Sequence, residues 1–245
     1  MLSCPLPFFN ERRTAVNMLM FHCSALSADG MIATLKEKEL SCHYIIAEDG
    51  TVISVVDEDK RAWHGGVGFW REIDADINSH SVGIELCHPD MGQSPYSDAQ
   101  IDALIALSRN IISRYGIRPQ YIVGHSDCAP ERKPDPGKCF PWQRLALQGI
   151  GLWYDEQKRD KRKNVRSLLA EIGYDTRSER AFKASQYAFA RRFAPELISV
   201  DTSLKHLIET VFPDDTDFAG EKHFLHILQA VSQAYKDSQS LPFTD

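Results

Sequence analysis

Strand and helix patterns are unevenly distributed along this chain, and this constrains its fold more than any other feature. Short apolar runs typical of buried strands end before residue 155, and one long helical pattern lies among them. Beyond residue 163 the apolar residues recur only at helical spacing. With 245 residues, the chain has room for one large domain and a small one. We therefore predict a strand-containing domain at residues 1–157, a charged linker at residues 158–163 and a helical domain at residues 164–245.

Short local signals predict a turn and the ends of one helix. Asp49 and Gly50 separate two β-branched runs, which predicts a β-hairpin. Ser97 and Gln100 precede a helical apolar pattern, and their spacing predicts a capping box at the start of that helix. Gly116 is expected to end it.

Charge and hydropathy argue against several kinds of partner. The formal net charge is −6 and there is no basic block, so we expect no nucleic-acid partner. No apolar run approaches the roughly 18 residues of a membrane-spanning helix, so we expect no transmembrane segment. The first residues lack a basic region followed by an apolar one, so no secretory signal is visible. This favours the cytoplasm, or the periplasm if a leader has been removed, and we expect a monomer.

The stretch GHSDCAPERKPDPGKCFPW, at residues 124–142, carries the residues best suited to chemistry. Three prolines oppose regular structure there and favour a stiff loop: Pro130, Pro134 and Pro136. His125 and Asp135 lie in this loop, and His22 ends another predicted strand. Two histidines and a carboxylate form a known catalytic zinc set. Spacing alone leaves open that each of the three has only a structural hydrogen bond.

The same stretch resembles a family signature. GHSDCAPERKPDPG is similar to the GHSD-x-AP-x-RK-x-DPG motif of zinc-dependent N-acetylmuramoyl-L-alanine amidases of type 2, which are related to peptidoglycan recognition proteins. Four further segments resemble that family in its own order: MLMFHCS (18–24), SCHYIIAEDG (41–50), RAWHGG (61–66) and INSHSVGIEL (77–86). The resemblance spans about residues 5–153. It implies an α+β fold with a central mixed β-sheet flanked by helices on both faces, followed here by a small all-α domain.

Carried over residue by residue, the resemblance implies the parts of a hydrolytic site. His22, His125 and Asp135 would hold one Zn²⁺ per chain. Glu85 and Lys133 would be the catalytic pair. These roles are chemically reasonable, because zinc lowers the pKa of bound water to about 7, a carboxylate can transfer the proton and a cation can stabilise an oxyanion.

The alternation of apolar residues around Glu85 agrees with that role. Val82, Ile84 and Leu86 share one face of their strand, so Glu85 shares the other with Gly83. We expect the missing side chain of Gly83 to leave room for a ligand.

The resemblance also implies substrate contacts and sets the functional alternatives. Trp63 and His64 would line the substrate cleft, and Asn78 would hold a loop or touch substrate. The implied activity is hydrolysis of the amide between the lactyl group of N-acetylmuramic acid and L-alanine, in peptidoglycan or in muropeptides. A non-catalytic peptidoglycan-binding protein is the main alternative, and an amidase for an unrelated amide is another. The segment LLAEIGYDTRSERAFKASQYAFARRF, at residues 168–193, partly resembles the first two helices of small peptidoglycan-binding helical domains. Packing on the first domain is the alternative role of the C-terminal helices.

Overall fold

A computed structural model describes residues 1–162, 164–198, 204–218 and 220–239, so Lys163 of the predicted linker and parts of the predicted helical domain lie outside it. The strands are β1 (Leu2–Ser3), β2 (Phe9–Glu11), β3 (Met18–Ser24), β4 (Tyr44–Ile46), β5 (Val52–Ser54), β6 (Lys60–Ala62), β7 (Phe69–Trp70), β8 (Ile73–Asp74), β9 (Ser81–Cys87) and β10 (Ile122–Gly124). The α-helices are α1 (Ala28–Glu37), α2 (Ile77–His80), α3 (Asp98–Tyr115), α4 (His125–Cys128), α5 (Trp142–Ala146), α6 (Val165–Ile172), α7 (Glu179–Phe193), α8 (Leu204–Glu209) and α9 (Lys222–Gln239). Within these ranges, no helix is both long and apolar enough to cross a membrane.

Six strands form the central sheet in the order β1-β5-β4-β9-β3-β10. The pairs β4–β9, β9–β3 and β3–β10 are parallel, whereas the predicted hairpin of β4 and β5 is antiparallel, so the sheet is mixed. Because β9, β3 and β10 run in the same direction, their carboxyl ends meet at one edge of the sheet. His22 pairs in register with Glu85, and Gly124, directly before His125, pairs with Phe21. The topology therefore gathers three of the predicted site residues.

Helices cover both faces of the sheet, as predicted. On one face α3 and α5 pack on alternate residues of β3 and β9: Leu19, Phe21, Val82 and Ile84. On the other face α1 packs near Ile45, while α6, α7 and α9 pack around Met18 and Met20. Part of the second face is thus covered by helices from the end of the chain. His22 and Glu85 point to this second face, because they alternate with the apolar residues of the first.

The C-terminal helices share a hydrophobic core with the sheet. One cluster of buried side chains combines Met18, Met20 and Trp70 with Leu168 and Phe189 of α6 and α7. The predicted linker is also held in place, since the Asp160 amide donates to the Gln229 carbonyl of α9 at 3.1 Å. The described residues after 163 form helices and no strand. The division of the chain into separate domains stays a prediction.

Of the capping box predicted at the start of α3, the Ser97 half is present and the Gln100 half is not. The Ser97 hydroxyl accepts from the Gln100 amide, and Gly116 ends the helix with φ 61°. The Gln100 side chain, however, does not complete the capping box. It is fully buried and donates to the carbonyls of Ile46 and Cys87, each at 2.9 Å. Two strand carbonyls at the sheet edge thus obtain a donor that local spacing did not predict.

Candidate metal centre and active-site cleft

Three polar side chains converge at the carboxyl edge of the sheet: His22, His125 and Asp135. His22 Nδ1 lies 3.0 Å from His125 Nδ1 and 3.3 Å from Asp135 Oδ2. His125 Nδ1 lies 3.2 Å from the same Oδ2. All three residues are buried. His125 starts α4, a single helical turn inside the stretch for which we predicted no regular structure.

The other ring nitrogens of the two histidines fix their tautomers. His125 Nε2 lies 3.1 Å from the Gly65 carbonyl, which only accepts, so this nitrogen carries the proton. His22 Nε2 lies 2.9 Å from His64 Nδ1, and His64 Nε2 lies 3.3 Å from the Ser81 hydroxyl. Since that hydroxyl donates to the Ile77 carbonyl, it accepts from His64, and His64 in turn accepts from His22. Both Nδ1 atoms therefore present lone pairs to the same point.

This donor set fits a metal ion. Two nitrogen lone pairs and a carboxylate oxygen about 3 Å apart repel one another unless a cation lies between them. Donors bound to one tetrahedral zinc at about 2.0–2.2 Å are roughly 3.4 Å apart, close to the separations seen here. Burial and the nearby His125 lower the pKa of His22 to about 4, so its ring is neutral at neutral pH, as a metal ligand must be. These residues form the one possible metal cluster within the described part of the chain.

Glu85 lies in the cleft beside this cluster with one oxygen unsatisfied. Its Oε2 is buried and has no hydrogen-bond partner. Burial and, to a lesser extent, the charge of Asp135 raise the pKa of Glu85 to about 8, although Lys133 opposes the rise. A carboxyl group with a pKa near neutrality can both take and give a proton at physiological pH.

The cleft has a volume of about 260 Å³ and walls of different character. The apolar part of its lining consists of Leu35, Leu40, Trp63 and Met91. The cationic part is Lys133, which the sequence predicted, and Arg132, which it did not. A larger groove of about 540 Å³ lies at β1, but no titratable side chain lines it. Of these two, only the smaller cleft is lined by groups that can carry out acid–base chemistry.

Of the three residues predicted to contact substrate, two line the cleft and one does not. Trp63 lines the cleft and its Nε1 donates to Asn10 Oδ1 at 2.7 Å. His64 also lines the cleft, but its nitrogens are engaged by His22 and Ser81. Asn78 is buried outside the cleft lining, and its Oδ1 accepts from the Gly65 amide at 2.7 Å. Of the two roles left open for Asn78, the contacts favour holding the loop over touching substrate.

Gly83 makes room for His64 rather than for a ligand. A Cβ atom at Gly83 would lie 2.4 Å from His64 Nδ1, well inside van der Waals contact. We expected the space beside Gly83 to hold a ligand, and this was wrong, because the His64 ring occupies it. The pattern could not reveal this, because His64 reaches Gly83 from a separate loop.

Comparison with known proteins agrees with this geometry. A sequence profile of N-acetylmuramoyl-L-alanine amidases matches residues 12–138. The N-acetylmuramoyl-L-alanine amidase AmiD of Escherichia coli (strain K12) is 35% identical in an alignment of 211 positions, gaps included, that covers 74% of this chain and 76% of AmiD. The 1,6-anhydro-N-acetylmuramyl-L-alanine amidase AmpD of Enterobacter cloacae is 43% identical over 118 residues, which are 48% of this chain and 62% of AmpD.

A solved structure extends the likeness to the C-terminal helices. The complex of E. coli AmiD with anhydro-N-acetylmuramic acid-L-Ala-D-gamma-Glu-L-Lys matches with a TM-score of 0.73 at 30% identity. The match covers 94% of this chain and 94% of AmiD, so it reaches well beyond the sheet. On the profile, the identity and the fold together, the chain belongs to the N-acetylmuramoyl-L-alanine amidase family.

Proposed function

We propose that this protein hydrolyses the amide between the lactyl group of N-acetylmuramic acid and L-alanine in peptidoglycan or its muropeptide fragments. One observation carries the mechanism: two histidine lone pairs and a carboxylate oxygen converge beside Glu85, whose Oε2 has no partner. This arrangement suits metal-assisted hydrolysis. The relatives named as muropeptide amidases support the choice of substrate.

His22, His125 and Asp135 would hold one zinc ion in each chain. Zinc bound there supplies a Lewis acid that polarises the scissile carbonyl and increases the acidity of water. The protein's own residues do the rest. Glu85 accepts the proton of the attacking water and delivers it to the nitrogen of the leaving L-alanine. Lys133, which lines the cleft, stabilises negative charge that develops on the carbonyl oxygen.

The cleft walls suit a substrate that is part sugar and part peptide. The indole of Trp63 is fixed by Asn10 and offers a flat apolar surface, which we assign to the substrate together with the exposed edge of His64.

The five residues of the metal and catalytic set lie on one chain, which agrees with a monomer as the active unit. We propose a soluble anhydro-muropeptide as the substrate, since the relative AmpD is named as a 1,6-anhydro-N-acetylmuramyl-L-alanine amidase.

Product analysis with two variants tests this function. The wild-type protein should convert a soluble anhydro-muropeptide into an anhydro-sugar with a free lactyl carboxylate and a peptide with a free L-alanine amine. Glu85→Gln should lower kcat by ~10²–10⁴-fold, because a positioned acid–base group contributes that much. Lys133→Met should lower it by about 10²–10³-fold if Lys133 stabilises the oxyanion. Mass spectrometry of the products and steady-state rates are the readouts.

Zinc content is the control for both variants. Each should retain metal, because neither side chain belongs to the converging donor set. Loss of zinc in either variant would move that residue into the ligand set. Binding of muropeptide without cleavage would favour a receptor, and cleavage at another amide would refute the proposed bond.

A further inference from the structure

A buried ion pair joins the C-terminal helices to the loop that carries His125. Asp127 lies in α4, and both of its carboxylate oxygens are engaged. Oδ2 accepts from the Gly124 amide at 2.8 Å and from Arg192 Nη1 at 2.5 Å, while Oδ1 accepts from the Tyr174 hydroxyl at 2.7 Å. Asp127, Tyr174 and Arg192 are 0%, 1% and 3% exposed, so water does not compete for these bonds.

Asp127 is closely coupled to two of the converging donors. It lies two residues after His125, within the single turn of α4. The Ser126 amide, between them, donates to the Asp135 carbonyl at 2.8 Å. A shift of α4 would therefore move His125 directly and Asp135 through this backbone bond.

Besides Asp127, the Arg192 side chain contacts two further elements near the metal loop. Its Nη2 donates to the Ile122 carbonyl of β10 at 3.1 Å. Its guanidinium carbon lies 3.8 Å from the ring centroid of Trp142, in α5. One side chain of α7 thus connects the strand before the metal loop, the turn that starts the loop and the helix that follows it.

Stability alone is a weak explanation for this arrangement. A buried ion pair often contributes no more than apolar residues of the same volume, because both charges lose their hydration. The ion pair instead fixes the position of Asp127, because a guanidinium and a phenol hydroxyl can bond one carboxylate in only a few arrangements. Replacing a direct hydrogen-bond partner of a metal ligand commonly changes metal affinity by about 10–100-fold, which is an upper range here because Tyr174 and Arg192 act through Asp127 and α4.

We propose that Tyr174 and Arg192 are positioning residues for the metal centre, so that the C-terminal helices complete the zinc site of the amidase. They hold Asp127, and through α4 they set the relative positions of His125 and Asp135. The proposal rests on the proposed zinc function but assigns a role to residues outside the region of the family profile, which ends at residue 138.

Zinc affinity of the full chain tests the proposal without reference to turnover. Tyr174→Phe removes one hydrogen bond and keeps the ring that packs edge-on against Trp70, with centroids 5.0 Å apart. We expect its zinc dissociation constant to rise about 10-fold, and that of Arg192→Met to rise up to ~100-fold. Competition with a chromophoric chelator, well below the melting temperature of each variant, gives the constants.

Arg191→Met is the matched control. Arg191 neighbours Arg192 in α7, is equally buried and donates to the Val211 carbonyl within the C-terminal part of the chain. The Arg191→Met protein should be less stable than wild type but should bind zinc with the wild-type affinity. Wild-type affinity in a folded Tyr174→Phe protein would overturn the proposal, and so would an equal loss in Arg191→Met. If Arg192→Met does not fold, Tyr174→Phe decides. If the wild-type chain itself binds no zinc, the proposed function fails and this inference fails with it.

Discussion

At the scale of single residues, Glu85 shows how burial and charge tune a group for proton transfer. Its strand neighbours form part of the core, while its own side chain faces the cleft with one oxygen unbonded. Burial and the charge of Asp135 disfavour ionisation, and Lys133 only partly compensates. A carboxyl group held in this way costs stability when it ionises, which is reasonable for a group selected for chemistry rather than for folding.

This cost can be measured in the metal-free protein. The pKa of Glu85 rises from 4.5 to about 8 on folding, so between these values the unfolded chain has lost a proton that the folded chain still holds. The unfolded state binds fewer protons, and stability must fall as pH rises through this window. Glu85→Gln removes the effect. The free energy of unfolding of wild type relative to the variant should fall by on the order of 3 kcal/mol between pH ~5 and pH ~8.

Urea unfolding of both metal-free proteins across that pH range gives the difference directly. The variant serves as the control for the buried histidines, whose lowered pKa values affect both proteins alike. A difference that stays constant with pH would mean that Glu85 ionises normally in the folded state.

At the scale of elements, β3 and β9 place the site and the loops complete it. The register of these strands sets His22 beside Glu85. Gly83, two residues earlier in β9, lets the His64 ring reach His22. The strand and the loop are therefore mutually dependent.

Gly83→Ala tests this dependence. The new Cβ would lie 2.4 Å from His64 Nδ1, and the ring has no free direction because His22 and Ser81 hold its two nitrogens. We expect a loss of about 1–3 kcal/mol in stability, typical of overpacking. Zinc should also bind ~10-fold more weakly, because His22 Nε2 loses its acceptor. Gly220→Ala, whose Cβ would have no atom within 4 Å, is the control. Unchanged zinc affinity in Gly83→Ala would show that His64 does not orient His22.

The same elements show what could be predicted from the sequence. The hairpin at Asp49-Gly50 and the ends of α3 were predictable because their signals lie within a few residues. Spacing alone left the roles of His22 and His125 open, and the family resemblance indicated them as ligands. The structure explains why they meet, because the parallel strands β3 and β10 bring their carboxyl ends together. The contact of His22 with His64 spans 42 residues and that of Asp127 with Arg192 spans 65, and no local spacing specifies either. Gln100 was misjudged for the same reason, since its acceptors lie in other strands.

At the scale of the whole molecule, the helices after residue 163 complete one face of the sheet. Two roles were open for them from the sequence, binding to cell wall and packing on the first domain. Their shared core with Met18, Met20 and Trp70 supports the packing role. Each large side chain contributes about 1.5–3 kcal/mol when buried, and a domain is stable by only about 5–15 kcal/mol.

A chain that ends at Gln157 should therefore be unstable. Truncation uncovers these three core side chains and leaves Asp127 without Tyr174 and Arg192. We expect aggregation, or a folded fraction with weakened zinc binding, as measured by solubility, circular dichroism and chelator competition. A soluble, cooperatively unfolding chain with wild-type zinc affinity would contradict this expectation and support an independent catalytic domain. Weaker binding of that chain to insoluble peptidoglycan would then support the wall-binding role.

The central claim is that catalysis depends on one zinc ion held by His22, His125 and Asp135. The most direct measurement is the metal content of the purified protein, followed by amidase activity on a soluble muropeptide after chelation and after zinc is returned. We predict one zinc per chain, loss of activity when the metal is removed and recovery when it is restored, with Asp135→Ala defective in metal content and activity alike. Full activity in protein from which all metal has been removed would contradict the account.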